Sequence, residues 1–204
     1  MFITLEGPEG GGKTTQAARL TRWLTAQGKN VLLVREPGST RLGDAIRHLL
    51  LDFRDGQVDP RTEVLLFCAA RAQLVSEKIK PHLAEGGVVV CDRFADSTLA
   101  YQGYARGMEL VFLRSLLDFA TYGLKPDLTL LLDIEAHDGL GRKTIGDEWN
   151  RLDAEELSFH LRVRDGYRQL ATAEPLRWVT IDAGYPLDVV SNSISEVVAK
   201  RLLS

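Results

Sequence analysis

From Gly7 to Thr14 the chain reads Gly-Pro-Glu-Gly-Gly-Gly-Lys-Thr, a GxxxxGKT pattern lodged between an apolar strand-like run and a helical stretch. Glycine at these positions lets successive backbone N–H groups turn inward around phosphate oxygens, and a helix opening behind them adds a favourable dipole. Gly7, Pro8, Glu9, Gly10, Gly11, Gly12, Lys13, Thr14 and Thr15 are therefore the expected triphosphate cradle, with Lys13 reaching the β- and γ-phosphates and Thr14 able to ligate Mg²⁺. A glycine-rich turn that merely caps a helix shares some of these letters, but the strand before and the helix after favour the phosphate reading. Such a loop needs a carboxylate from another strand end to organise Mg²⁺, and two are offered: Asp92 after Val88-Val89-Val90-Cys91, and Asp133 after Leu130-Leu131-Leu132. Asp92 is preferred, because Arg93 follows at once and the pair would emerge at the C-terminal end of a strand, where parallel α/β sheets bind ligands. Asp133 reads rather as a strand-end residue capping the next helix.

A phosphate loop does not by itself separate motors, GTPase switches and small-molecule kinases. The guanine-reading NKxD is missing, and no DxxG stands usefully after the second or third strand. What the chain does carry is Glu36-Pro37-Gly38-Ser39-Thr40 after the second strand, Phe67 and Arg71 one helical turn apart, and Asp92-Arg93-Phe94 running into Ser97-Thr98-Leu99-Ala100-Tyr101-Gln102-Gly103. With the loop, these segments resemble the thymidylate kinase family: a GxEGxGKT loop, an REPG(G/S)T turn, an LFxAxR helix, and DR(F/Y/H) followed by STxAYQG, in that order. The resemblance runs from Phe2 to about Asp182.

That resemblance implies a P-loop nucleoside monophosphate kinase-like α/β fold with a small lid, and an ATP:dTMP phosphotransferase that makes dTDP with Mg²⁺ as cofactor and no covalent intermediate. Phe67 would stack on thymine while Arg71 bonds its edge, which their shared helix face permits; a core phenylalanine beside a snorkelling arginine has the same spacing. Thr98 and Gln102 would lie against the base, Tyr101 would fill the space of a ribose 2′-hydroxyl, and Glu36 and Ser97 complete the implied substrate set. Arg47 and Arg93 are the implied clamps for the acceptor phosphate, their guanidinium forks suiting its oxygens. Glu9 resembles the acid used near sugar and acceptor phosphate.

The loop's middle positions lack arginine, so the resemblance favours the subgroup that brings transition-state cations from a lid, here Arg142 to Glu156. The implied catalytic set is Lys13, Arg93, Arg142 and Arg151, with Lys143 a third lid candidate. The segment departs from the family pattern, carrying Lys143, Asp147, Glu148 and Asn150-Arg151-Leu152-Asp153. A homodimer is also implied, with the helices Pro60 to Ala84 and Glu109 to Tyr122 as contributors. Two rivals remain: a deoxynucleoside or broader deoxynucleoside monophosphate kinase, and a P-loop ATPase working as a switch without an acceptor.

Positioning these residues requires an alternating chain. Phe2 to Glu6, Asn30 to Arg35, Val88 to Asp92, Leu128 to Asp133 and Trp178 to Asp182 read as strands. Between or after them Lys13 to Gln27, Arg41 to Leu51, Pro60 to Ala84, Glu109 to Tyr122, Glu155 to Ala171 and Pro186 to Leu203 have helical spacing. Strands apolar at successive positions predict a five-stranded parallel sheet covered on both faces, in one domain spanning residues 1–204. A net charge of −3 offers no global field for nucleic acid or an anionic membrane, so small molecules are the expected partners. Cys68 and Cys91 lie in apolar runs and suit reduced, buried thiols; with no spanning run and no signal-peptide pattern at MFITLEG, the expectation is cytoplasmic. The base rate for Xaa-Pro bonds predicts trans at Glu36-Pro37.

Overall fold

In the computed structural model, which describes residues 1–51, 58–143 and 150–203, five parallel strands form one sheet in the order β2-β3-β1-β4-β5. The strands are β1 (Phe2–Glu6), β2 (Val31–Arg35), β3 (Val88–Asp92), β4 (Leu128–Asp133) and β5 (Trp178–Asp182). β1 is central, registered with β3 through Leu5 and Asp92 and with β4 through Glu6 and Leu131. The strand leading into the phosphate loop is thus flanked by both strands that end in aspartate.

Side chains alternate across the sheet, and each face has its own helices. Ile3, Leu5, Val88, Val90, Leu130 and Leu132 pack against Leu20 and Leu24 of α1 (Lys13–Ala26) and Ile194 and Val198 of α9 (Leu187–Leu203). On the other face Phe2, Val89 and Cys91 meet Leu74, Val75 and Ile79, while Leu131 and Trp178 meet Phe159, Val163 and Tyr167 of α8 (Leu157–Ala173). By this alternation Glu6, at the end of β1, points to the α8 face, where it is fully buried.

The remaining helices are α2 (Arg41–Leu51), α3 (Pro60–Leu74), α4 (Lys80–Ala84), α5 (Ala95–Thr98), α6 (Leu110–Thr121) and α7 (Ala136–Lys143). Asp59 caps α3 by accepting from the Arg61 and Thr62 amides, with Pro60 at the first helical position, an arrangement worth about 1 kcal/mol. The stretch from Pro60 to Ala84, expected as one α-helix, widens to π geometry over Val75–Ile79. Pro81 accounts for this, since it lacks an N–H and its ring crowds the carbonyl one turn back. A second π stretch, Leu99–Ala105, follows α5 and carries Tyr101 and Gln102. Neither α7 nor this stretch was expected as an element of its own. The Glu36–Pro37 peptide is cis, contrary to the base rate. Asp147 and Glu148 of the expected lid lie outside the described residues.

Candidate active site

The C-terminal edge of the sheet opens into a cleft of about 1020 Å³ lined by the phosphate loop, the turn after β2, α2, α3, the segment after β3, and the end of α7. Its floor is the loop itself. Gly7, Gly10 and Gly12 hold positive φ of 140°, 70° and 76°, which turns the loop back over the start of α1. A Cβ on Gly10 would meet the Gly139 carbonyl oxygen at 1.9 Å, so α7 lies directly on the loop. Lys13 folds back across it, its ammonium donating to the Pro8 carbonyl at 2.6 Å. Burial and the nearby Arg93 guanidinium pull the Lys13 ammonium down to about 8, against the opposing pull of Glu9, Asp92 and Glu6.

Beside the loop, the Thr14 hydroxyl donates to Asp92 Oδ2 at 2.6 Å. Asp133 is instead clasped by Arg164 of α8 at 2.8 and 3.0 Å. Of the two strand-end carboxylates, only Asp92 meets the loop hydroxyl. Magnesium takes few protein ligands and completes its shell with water and substrate phosphate, so a threonine hydroxyl beside one carboxylate is a chemically sufficient donor set.

Arg93 is the most connected side chain of the site. Its guanidinium donates to Glu9 Oε1 at 2.7 Å, to the Tyr101 and Tyr167 hydroxyls at 3.0 Å each, and to the Gly7 carbonyl at 3.1 Å. Its backbone is left-handed, with φ 69°, a conformation that costs a non-glycine residue about 1–2 kcal/mol. Glu6 holds the strained turn in place: its carboxylate accepts from the Phe94 amide at 2.7 Å, the Ser97 hydroxyl at 2.6 Å and the Tyr167 hydroxyl at 2.9 Å. Burial and the neighbouring Asp96 push the Glu6 carboxyl up to about 7. Burial also works against ionised Glu9, but Arg93, Lys13, Lys143 and the Tyr101 hydroxyl, donating at 2.6 Å, outweigh it and hold this carboxyl well below the usual range. Glu9 thus stands as an anion among three cations.

Two further arginines border this end. Arg47 donates to the Pro37 carbonyl at 3.0 Å, and Arg35 lines the cleft beside it. Burial and the charges of Arg35 and Arg93 pull the Arg47 guanidinium down, with Asp92 and Asp44 opposing. Three guanidiniums crowding one corner is an arrangement that an incoming phosphate dianion relieves.

Toward α3 the cleft changes character. Phe67 offers a half-buried ring, and Arg71, 1% exposed, is bonded to Glu36 at 2.8 Å, Thr98 at 3.1 Å and the Phe94 carbonyl at 3.1 Å. Gln102 lies one turn beyond Thr98 and also lines the cleft. An aromatic face with fixed polar groups at its edge is suited to a planar heterocycle.

The three lid candidates are separated. Lys143 lines the cleft, both oxygens of the buried Asp153 holding its ammonium at 2.6 Å, with Glu9 at 3.6 Å. Arg142, one residue earlier on α7, points the other way and donates to the Ala183 and Gly184 carbonyls at 2.7 and 3.2 Å. Arg151 binds the Leu50 carbonyl at 3.0 Å and pairs with Glu63. The cleft thus gathers Glu9, Glu36, Arg47, Phe67, Arg71, Arg93, Ser97, Thr98, Tyr101 and Gln102 with the loop, but neither Arg142 nor Arg151. Glu6, Arg35 and Tyr167 were missed from the sequence. A glutamate closing an apolar strand just before the first loop glycine was the available signal for Glu6; Tyr167 had none.

The sequence matches the protein family described as Thymidylate kinase over residues 5–194. A thymidylate kinase of Roseiflexus castenholzii is 49% identical, the alignment covering 100% of this chain and 95% of the relative. One from Synechococcus sp. (strain JA-3-3Ab) is 52% identical, covering 100% and 98%. The crystal structure of thymidylate kinase from Ehrlichia chaffeensis matches with a TM-score of 0.81 at 34% identity, over 98% of each chain.

Proposed function

The chain belongs to the thymidylate kinase family and transfers the γ-phosphoryl group of ATP to dTMP, giving ADP and dTDP; we propose that Lys13, Arg93, Arg47 and Lys143 supply the charge for that step. One observation carries the assignment of roles. The phosphate loop, a corner of three guanidiniums and an aromatic pocket with a polar edge share one cleft, which supports reading them in turn as the seats of donor phosphates, acceptor phosphate and acceptor base. In-line transfer needs that order, since catalysis here consists of placing two nucleotides and neutralising the moving phosphoryl.

In this reading the loop amides and Lys13 hold the donor phosphates, and the Arg93 fork spans the acceptor phosphate and Glu9. Thr14 and Asp92 would hold Mg²⁺, which supplies charge neutralisation between donor phosphates when bound. Phe67 stacks on thymine, while Arg71 and Gln102 meet its polar edge. Tyr101, its hydroxyl fixed by Glu9 and Arg93, lines the cleft where it would stand against a 2′-hydroxyl. Of the three sequence candidates for the lid cation, Lys143 is the one whose ammonium faces the cleft. The kinase works as a homodimer through α3 and α6, whose outer faces expose Leu65, Val111, Phe112 and Phe119. Among the described residues no helix is long and apolar enough to cross a membrane.

The testing experiment is coupled ADP release with ATP and Mg²⁺, comparing dTMP with dUMP, dCMP, dGMP, the ribose analogue of dTMP, thymidine and no acceptor. Turnover that depends on dTMP and drops with the ribose analogue is expected. Equal ADP release without any acceptor would leave a nucleotide-binding loop and remove the acceptor-site assignments.

A further inference from the structure

Glu63 does not itself line the cleft, yet it holds a side chain that does. This side chain is fully buried on α3 and accepts from Gln102 Nε2 at 2.8 Å, from Arg106 Nε at 2.8 Å and Nη2 at 3.2 Å, and from Arg151. Burial works against its charge, but hydrogen bonds from Arg106, Arg151 and Gln102 outweigh burial and hold the carboxyl below its ordinary value. An ionised carboxylate only accepts hydrogen bonds, so the group that Gln102 turns toward it must be the amide NH₂. The other end of the amide, the oxygen, is then turned the opposite way, and among the described residues no protein donor meets it. Gln102 lines the cleft beside Arg71, the two linked through Thr98, which lies one turn from Gln102 and accepts from Arg71 at 3.1 Å.

We propose that Glu63 is the positioning residue that locks the Gln102 amide with its oxygen toward the base, making the cleft accept a pyrimidine with a ring N–H and reject one with a bare ring nitrogen. The inference rests on the reading that the base lies at Arg71 and Gln102. The edge of thymine or uracil presents a carbonyl acceptor at C4 beside an N3–H donor, matching the donors of Arg71 and the fixed acceptor of Gln102. Cytosine presents an amino donor beside a lone pair, so both contacts become repulsive. An amide that could turn over would discriminate poorly, since its NH₂ serves cytosine as well as its oxygen serves thymine. Discrimination therefore depends on the carboxylate behind it.

Replacing that carboxylate by a carboxamide should invert the lock. In E63Q the new oxygen best takes the Oε2 position, where the Arg106 Nη2 and Arg151 guanidinium donors both meet it, so the new NH₂ takes the Oε1 position facing Gln102, where Arg106 Nε loses its acceptor. Gln102 must then return its oxygen to residue 63 and turn its own NH₂ into the cleft. The experiment compares kcat/KM for dTMP, dUMP and dCMP in the wild-type enzyme, E63Q, Arg106→Gln and Gln102→Met, with thermal melting of each. E63Q should shift the dTMP:dCMP preference toward dCMP by roughly ten-fold or more, mainly through KM. Arg106→Gln disturbs the same buried cluster but keeps the carboxylate, so it should leave the preference unchanged even where it lowers the melting temperature. A folded E63Q with the wild-type preference, or an equal shift in Arg106→Gln, overturns the proposal. Gln102→Met decides the matter if E63Q does not fold, because it removes the amide and leaves Glu63 with both guanidiniums. A drop for dTMP and dUMP with dCMP unchanged or improved supports the fixed oxygen; a drop mainly for dCMP overturns it. Equal effects on all three acceptors would instead show that Gln102 does not read the base, and a wild-type enzyme without dTMP-dependent turnover would remove the acceptor reading itself.

Discussion

Lys13 is the residue whose removal the chemistry tolerates least. In Lys13→Ala the loop glycines keep their conformations and the fold should melt as before, while turnover falls by roughly a thousand-fold or more, as expected when a fixed cation on the moving phosphoryl is lost. A pH dependence follows from the same side chain. With the free ammonium near 8, its charge is partly lost above that pH, and a bound triphosphate raises it again. ATP binding must therefore take up protons on the alkaline side, and affinity should weaken by up to tenfold per pH unit above about 8. Calorimetry in buffers of different ionisation enthalpy measures the uptake; none at about pH 8.5 would mean the lysine is fully charged beforehand. At the next contact out, Lys143→Ala should lower kcat by roughly a hundred-fold and Arg142→Ala by less than about ten-fold, since only the lysine faces the cleft. The opposite ranking in stopped-flow or coupled assays would return the role to Arg142. The sequence made most of this cleft legible, because loop, turn and DRF segment each pack several chemical residues into a short span. It could not separate Arg142 from Lys143: neighbours on a helix point about 100° apart, and which one faces the site is settled by what α7 packs on. Nor could it find Tyr167, which reaches Arg93 and Glu6 from 74 and 161 residues away.

The contact between α7 and the phosphate loop is the element-level feature on which transfer geometry rests. A Cβ on Gly139 would meet the Glu9 carbonyl oxygen at 2.2 Å, a backbone atom that cannot swing aside. Gly139→Ala must therefore push α7 and the loop apart, and Lys143 rides at the end of that helix. Displacement of reacting groups by about 1 Å can cost on the order of a hundred-fold in rate, so kcat should fall steeply while the melting temperature shifts little. A control at Gly141, whose Cβ would meet nothing within 4 Å, should leave kcat near wild type. Equal effects at the two glycines would show that the close approach is not what matters. The strands and long helices were legible because their apolar periodicity is strong and their ends are marked. α7 was not, since Ala136 to Lys143 mixes glycines and charges with little apolar repeat and is held by its contacts to loop and α8. The π stretch at Leu99–Ala105 escaped for a related reason: Gly103 packs so close to Leu110 that a Cβ would lie 2.5 Å from its side chain, a tertiary demand no local propensity expresses.

At the scale of the whole molecule, α3 joins the site to the outside. Its inner face carries Arg71, Glu63 and Phe67 toward the cleft or its supports, while Leu65, two residues from both Glu63 and Phe67, is 59% exposed on the opposite face. α6 packs beside it and exposes Val111 at 70%, Phe112 at 55% and Phe119 at 82%. Four large apolar side chains left in water on adjacent helices are more than scattered surface hydrophobics, and burying them between two copies would give each chain a fixed wall behind its base pocket. Light scattering coupled to size exclusion should therefore give twice the chain mass at about 10 µM, within the range of stable interfaces of this kind. The double substitution Phe112→Asp with Phe119→Asp, placing charges on that face, should give the single chain mass. The kinetic consequence separates this surface from any other. Once α3 loses its outer support, KM for dTMP should rise several-fold more than KM for ATP, because Phe67 and Arg71 sit on α3 whereas the phosphate loop is anchored by β1, α1 and α7. A wild-type monomer, or a monomeric variant with both constants unchanged, would mean that α3 is held firmly enough from within and that the exposed face has no part in catalysis.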